Sequence, residues 1–198
     1  MSEAAGGGSS VIVMAGRRID AADAREVRFP PSRIVDVTIE IHSMLRRLRR
    51  EVVVTSAACG ADLIALNVAR SLGMRRRIVL PFAPEEFRAT SVVDRPGDWR
   101  DIYDDMIASA VKAGDLVIAN QTLDRADAFT MANRRLIEEA FALSGQPTSG
   151  RIQKTRLSAA VVWEGQSRGP GDFTADFIEL VKARGLTVEE IKTLRGYS

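Results

Sequence analysis

The chain is poor in the residues that build cross-links and soft metal sites: its 198 residues include one cysteine, Cys59, and one histidine, His42. A single cysteine excludes an intrachain disulfide, and one Cys with one His is too small a set for zinc. No metal and no cofactor is expected. Aromatic residues make up only 6%, and they are not interleaved with basic residues into the stacking groove that single-stranded nucleic acid uses. Charge of one sign is lacking too, since 28 Lys and Arg stand against 26 Asp and Glu. A net charge of +2 builds no concentrated basic field, so charge neither demands nor excludes a nucleic-acid partner, and the missing groove argues against one. No apolar run reaches membrane-spanning length, and the first residues lack the basic-then-apolar pattern of an export signal. The expectation is a cytoplasmic protein with no membrane partner.

Present instead is an ordinary globular mixture, 45% apolar and 27% charged, long enough to bury a core without staples. Residues 1–10, MSEAAGGGSS, bury nothing useful and predict a disordered leader. Residues 11–198 predict one domain. Apolar runs at Val11–Ala15, Val52–Thr55, Arg77–Leu80, Asp115–Ala119 and Leu157–Trp163 read as strands buried on both faces, and Leu186–Ile191 as a short edge strand. Helical spacing separates them, over Ser32–Arg50, through Leu63, Leu66, Ala69 and Leu72, from Trp99 to Ala110, over Ala128–Leu143 and over Phe173–Arg184. The stretch PFAPEEFRATSVVDRPGDW reads as a long irregular loop, a candidate lid or pocket wall carrying Arg88 and Ser91, with Asp98 capping the helix after it.

This alternation is α/β, a Rossmann-like three-layer α/β/α sandwich with a mostly parallel sheet. Right-handed crossovers favour the order 3-2-1-4-5-6. Ligands in such sheets bind beyond the carboxyl ends where the order reverses, expected here between strands one and four. Four turns converge there in this reading: Gly16-Arg17-Arg18, Ser56–Gly60, Asn120-Gln121 and Gly165–Asp172. Gly60 opens a helix, where unpaired N–H groups and the helix dipole favour a phosphate or carboxylate. Equally, small residues at such a turn let a helix pack close to the sheet. A second helix opens at Asp172, which can cap it. Asp62, in the first turn after Gly60, either complements the dipole or touches a ribose hydroxyl, while Cys59 is expected to pack rather than react. Neither G-x-G-x-x-G nor G-x-x-x-x-G-K-[ST] is present, which disfavours a nicotinamide dehydrogenase and excludes a P-loop NTPase.

TSAACGADLIALNVARSLG at Thr55–Gly73 resembles the S-G-x-A-x-G-[IA]-D segment of the DNA-processing protein A and LOG superfamily, often called SLOG. GPGDFTADF resembles a variant of the P-G-G-x-G-T-x-x-E loop of LOG proteins. RFPP at Arg28–Pro31, LPFAPEEFRATSV at Leu80–Val92 and VWEG are similar to a bacterial SLOG-like group of unassigned proteins. The resemblance covers most of residues 11–190. It implies a Rossmannoid domain that binds or senses a nucleotide or nucleotide-derived ligand, with Ser56 and Gly60 at the phosphate, and by analogy a homodimer. The candidate ligand set is Gly16, Arg17, Ser56, Ala57, Cys59, Gly60, Ala61, Asp62, Arg88, Ser91, Gly169, Gly171 and Thr174. The alternative it implies is a LOG-like nucleoside 5′-monophosphate phosphoribohydrolase, for which Glu164, Asp172 and Asp176 are the candidate catalytic acids. Here the Gly-rich loop has one glycine fewer, and Asp176 falls nearer to it than the LOG acid. Single-strand DNA binding is a third reading.

Overall fold

The computed structural model describes residues 8–119, 125–148 and 150–195. In chain order they form β1 (Val11–Gly16), a 3-10 turn (Pro31–Arg33) leading into α1 (Ile34–Leu48), β2 (Val52–Thr55), α2 (Ala61–Ser71) and β3 (Arg75–Leu80). Then come α3 (Pro84–Ser91), α4 (Arg100–Ala113), β4 (Leu116–Ile118), α5 (Arg125–Ser144), β5 (Leu157–Trp163), α6 (Phe173–Ala183) and β6 (Val188–Lys192). Every strand pair is parallel. Alternate residues of the strands feed two cores. Ile12, Met14, Val53, Ile78, Leu80, Ala160 and Val162 pack toward α1, α2 and α4, whereas Val11, Val13, Val52, Val54, Val79, Leu157 and Ala159 pack toward α5 and α6. This two-sided burial is why the strands are apolar throughout. Each fully buried Val, Leu or Ile contributes about 1.5–3 kcal/mol over an exposed one.

The expected fold class holds, but the fourth strand lies elsewhere. The order is β4-β3-β2-β1-β5-β6, so β4 pairs with β3 through Ile78, Val79 and Leu80 rather than standing beside β1. Helix α4 packs on α2 and β3, which carries the crossover outward for a third time. Arg75 reinforces that edge, its Nε and Nη2 donating to the Asp115 carboxylate at 2.7–3.0 Å. Helix α5 then runs back across β3, β2 and β1 on the opposite face and delivers β5 next to β1. The reversal of order therefore falls between β1 and β5.

Two other expectations change. Residues 81–99 are not irregular throughout: Pro84 occupies the first turn of α3, where its missing N–H costs nothing, and Phe87 buries against the core. Asp98 makes no cap, because the N-cap of α4 is Trp99 and no side chain bonds there. The end of the expected leader is ordered, since the Ser10 N–H and hydroxyl both donate to Glu51 and Ser9 N–H donates to the Leu143 carbonyl. Residues 1–7 of that leader, and the Asn120-Gln121 turn, lie outside the described residues. Among the described residues no helix is long and apolar enough to cross a membrane, and no group of His, Cys, Asp or Glu could hold a metal ion.

Candidate functional site

A cleft of about 420 Å³ opens beyond the carboxyl ends of β1, β2 and β3, beside the β1/β5 reversal. The loop after β1 supplies one wall, the β2–α2 turn and Asp62 another, and Phe87, Ser91 and Arg95 a third. Opposite stand Phe129, Ala132, Asn133 and Leu136 of α5, with Arg168, Phe173 and Thr174 at the start of α6. Of the sequence candidates, Gly16, Arg17, Ser56, Asp62, Ser91 and Thr174 line this cleft. The others do not.

Gly60 is the clearest correction. Its φ is +100°, and a Cβ there would stand 2.8 Å from both the Arg17 carbonyl oxygen and the Ile19 nitrogen. The loop after β1 lies directly on the turn. Ala61 N–H donates to the Arg17 carbonyl, Leu63 N–H to Ala58, and Ile19 N–H to Cys59. Of the N–H groups expected to cradle phosphate around Gly60, those of Cys59, Ala61 and Leu63 are thus consumed within the protein, and Ala57, Cys59 and Ala61 are core residues. Burial pushes the Cys59 thiol pKa up despite the nearby Arg18 guanidinium, consistent with a packing role.

The second helix N-terminus is closed as well. Asp172 caps α6, its Oδ1 accepting from Thr174 N–H at 3.1 Å and Ala175 N–H at 3.3 Å. Gly169 and Gly171 are exposed beside it, with positive φ, and belong to the turn rather than the cleft. Arg17 commits most of its guanidinium to internal partners. Its Nη2 donates to Asp172 at 2.8 Å, to Glu164 at 2.9 Å and to the Gln166 carbonyl, while Nε donates to Glu164 at 2.6 Å. Arg28 also pairs with Glu164. Burial alone would raise the pKa of both carboxyls, but the bonds from Arg17, joined by backbone N–H groups at Asp172 and by Arg28 at Glu164, outweigh it and hold both below the usual carboxylate range. Glu164 and Asp172 are therefore a locked ion-pair cluster at the β1/β5 reversal, and Arg17 is committed to it through Nε, Nη1 and Nη2. Asp176 is exposed on α6, away from the cleft, and Arg88 pairs with Asp104 on α4.

What the cleft does offer was less visible. Arg18 and Arg95 both pair with Asp94, yet the buried Nε of each has no hydrogen-bond partner, Arg95 Nε lying 3.4 Å from Asp94 without bonding geometry. Asp62 is 7% exposed, and its Oδ1 also has no partner, while Oδ2 accepts from Ala58 N–H at 3.3 Å. Loss of hydration raises the Asp62 pKa to about 7, opposed by the Ala58 N–H, the Thr55 hydroxyl and Arg18. Phe129 and Phe173 stack at 5.0 Å between ring centroids, giving the far wall a flat apolar surface, with Asn133 Nδ2 donating to the Phe173 carbonyl. Arg18, directly after Arg17, was within reach of sequence reasoning. Arg95, Arg168 and the phenylalanines meet only in three dimensions.

Compared with known proteins, the chain matches no family model and no curated sequence.

Proposed function

We propose that the cleft binds a nucleotide or nucleotide-derived ligand, and that the chain is a binding or sensing domain of the SLOG type that its motifs resemble. The observation carrying this reading is the convergence, in one cleft at the sheet's carboxyl end, of two buried guanidinium Nε donors lacking hydrogen-bond partners with a stacked aromatic wall. Buried polar atoms without partners are rare in native proteins and call for an explanation, and guanidinium donors match the oxygens of a phosphate. The phosphate site moves accordingly, from the helix N-termini to Arg18, Arg95 and the half-exposed Arg168. A base would lie against Phe129 and Phe173.

The test is calorimetric titration and thermal shift with nucleoside mono- and diphosphates, with adenosine and inorganic phosphate as the two halves. Binding of an intact nucleotide, weakened by Arg95→Ala and by Phe129→Ala, supports the reading. Absence of binding across the panel overturns it. Chromatography of the same incubations for released base separates sensing from the LOG-like hydrolase alternative, which needs a carboxyl facing the cleft. With Glu164 and Asp172 committed to Arg17, Asp62 is the residue placed for that work.

A further inference from the structure

We infer that Asp62, with the Thr55 hydroxyl beside it, reads a hydrogen-bond donor on the ligand, a hydroxyl or an amine, and so sets which nucleotides the cleft accepts. The inference rests on the proposed nucleotide reading and deepens it.

An acidic residue in the first turn of a helix is ordinarily explained by the dipole, which contributes about 0.3–1 kcal/mol at an exposed position. Such residues stay in water, as Glu85 and Glu86 of α3 and Asp176 of α6 do. Asp62 does not. It is more than nine-tenths buried, it lines the cleft, and one of its two oxygens has no partner. The Thr55 Oγ1 is likewise buried without one. Asp62 Oδ1, at the start of α2, is therefore the open acceptor on the cleft wall, with the Thr55 hydroxyl at the end of β2, itself a donor toward this carboxylate, beside it. A ligand donor placed there gains a charge-assisted bond and relieves the cost of the buried acceptor.

The groups facing Asp62 settle its pH response. Arg18, from the loop after β1, is the charge acting on it. Around the cleft the same loop contributes Arg17, Asp20, Glu26 and Arg28, the segment after α3 contributes Arg95, and the turn before α6 contributes Arg168. Asp20 is engaged by the Arg28 and Phe29 N–H groups, Glu26 by Arg28 and Arg17 by its two carboxylates. Among the described side chains of helix α5, none that lines the cleft is ionisable. A donor ligand selects the ionised carboxylate, so its affinity declines as pH drops below about 7.

The experiment measures binding of adenosine monophosphate to wild type, Asp62→Ala and Asp62→Asn at pH values on either side of neutrality. Dideoxyadenosine monophosphate, lacking both ribose hydroxyl donors, and inosine monophosphate, lacking the base amine, are run alongside. Asp62→Ala is expected to weaken adenosine monophosphate by about tenfold or more. One of the two truncated nucleotides should then bind wild type as weakly as adenosine monophosphate binds the variant, and that nucleotide identifies the donor. Asp62→Asn keeps an acceptor and the side-chain shape, and it should lose the part of the pH dependence not owed to the phosphate itself. If Asp62→Ala does not fold, Asp62→Asn decides alone. Wild-type affinity and pH dependence in both variants, or equal weakening of all three nucleotides, overturns the role of Asp62 and leaves the nucleotide reading intact. Failure of every nucleotide to bind wild type overturns both.

Discussion

Asp62→Asn should stabilise the folded protein, increasingly so as pH rises. The carboxyl goes from the 3.8 of an ordinary aspartate to about 7 on folding. At about 1.4 kcal/mol for each tenfold change in proton affinity, that amounts to about 4 kcal/mol, an upper figure because the surroundings relax. The sign follows from which state holds the proton. Between about pH 4 and pH 7 the folded chain keeps a proton that the unfolded chain has released, so stability declines as pH rises through this window and levels off above it. Below about pH 4 both states are protonated and the residue contributes no slope. Asparagine cannot titrate, fits the same space and still accepts from the Ala58 N–H, so the variant lacks this decline. Urea unfolding of both proteins at steps from about pH 4.5 to pH 8 gives the difference directly, with every other titrating group cancelling. The variant's advantage should grow across the window toward about 4 kcal/mol, or roughly ten degrees in melting temperature for a chain of this size. Parallel stability curves would refute the picture of a desolvated carboxyl facing the cleft.

Arg17→Met removes the main cation of Glu164 and Asp172, leaving Arg28 on the first and Arg168 3.7 Å from the second. Unfolding free energy should therefore drop by about 3 kcal/mol, and adding Glu164→Gln and Asp172→Asn should restore much of it. A loss under about 1 kcal/mol in urea unfolding would show that the cluster is not closed to water. Asp172 carries the opposite sign to Asp62: its depressed carboxyl contributes stability that is present above the unfolded pKa near 4 and lost as pH falls toward its folded value. Asp172→Asn should accordingly be less stable than wild type at neutral pH and approach it in an acid titration. Gly60→Ala should cost about 2 kcal/mol or more, since its Cβ meets backbone at 2.8 Å in a left-handed conformation. The backbone it displaces carries Arg18, so nucleotide affinity should weaken together with stability; a loss of binding at full stability would return the phosphate to the Gly60 turn.

Strand and helix positions were legible because they rest on local patterns. Runs such as Val11–Ala15 and Leu157–Trp163 announce burial on both faces, and Asp172 before an apolar helical stretch announces a cap, which it makes. Helix α3 was obscured by its prolines, since the residue that breaks a helix interior also suits its first turn.

Alternation and hydrophobic period thus determined an α/β protein with a parallel sheet, but each strand's pattern says only that both faces are buried, not which neighbour it meets. Tertiary packing decided that β4 pairs with β3 and that the order reverses at β1 and β5. It also decided the site. Arg17 reaches Glu164 and Asp172 across 147 and 155 positions, and the loop after β1 covers the α2 N-terminus, so groups that look available along the chain are already satisfied in space. Whether a charge or an N–H is open to a ligand depends on every neighbour around it, and those neighbours are brought together only when the chain folds.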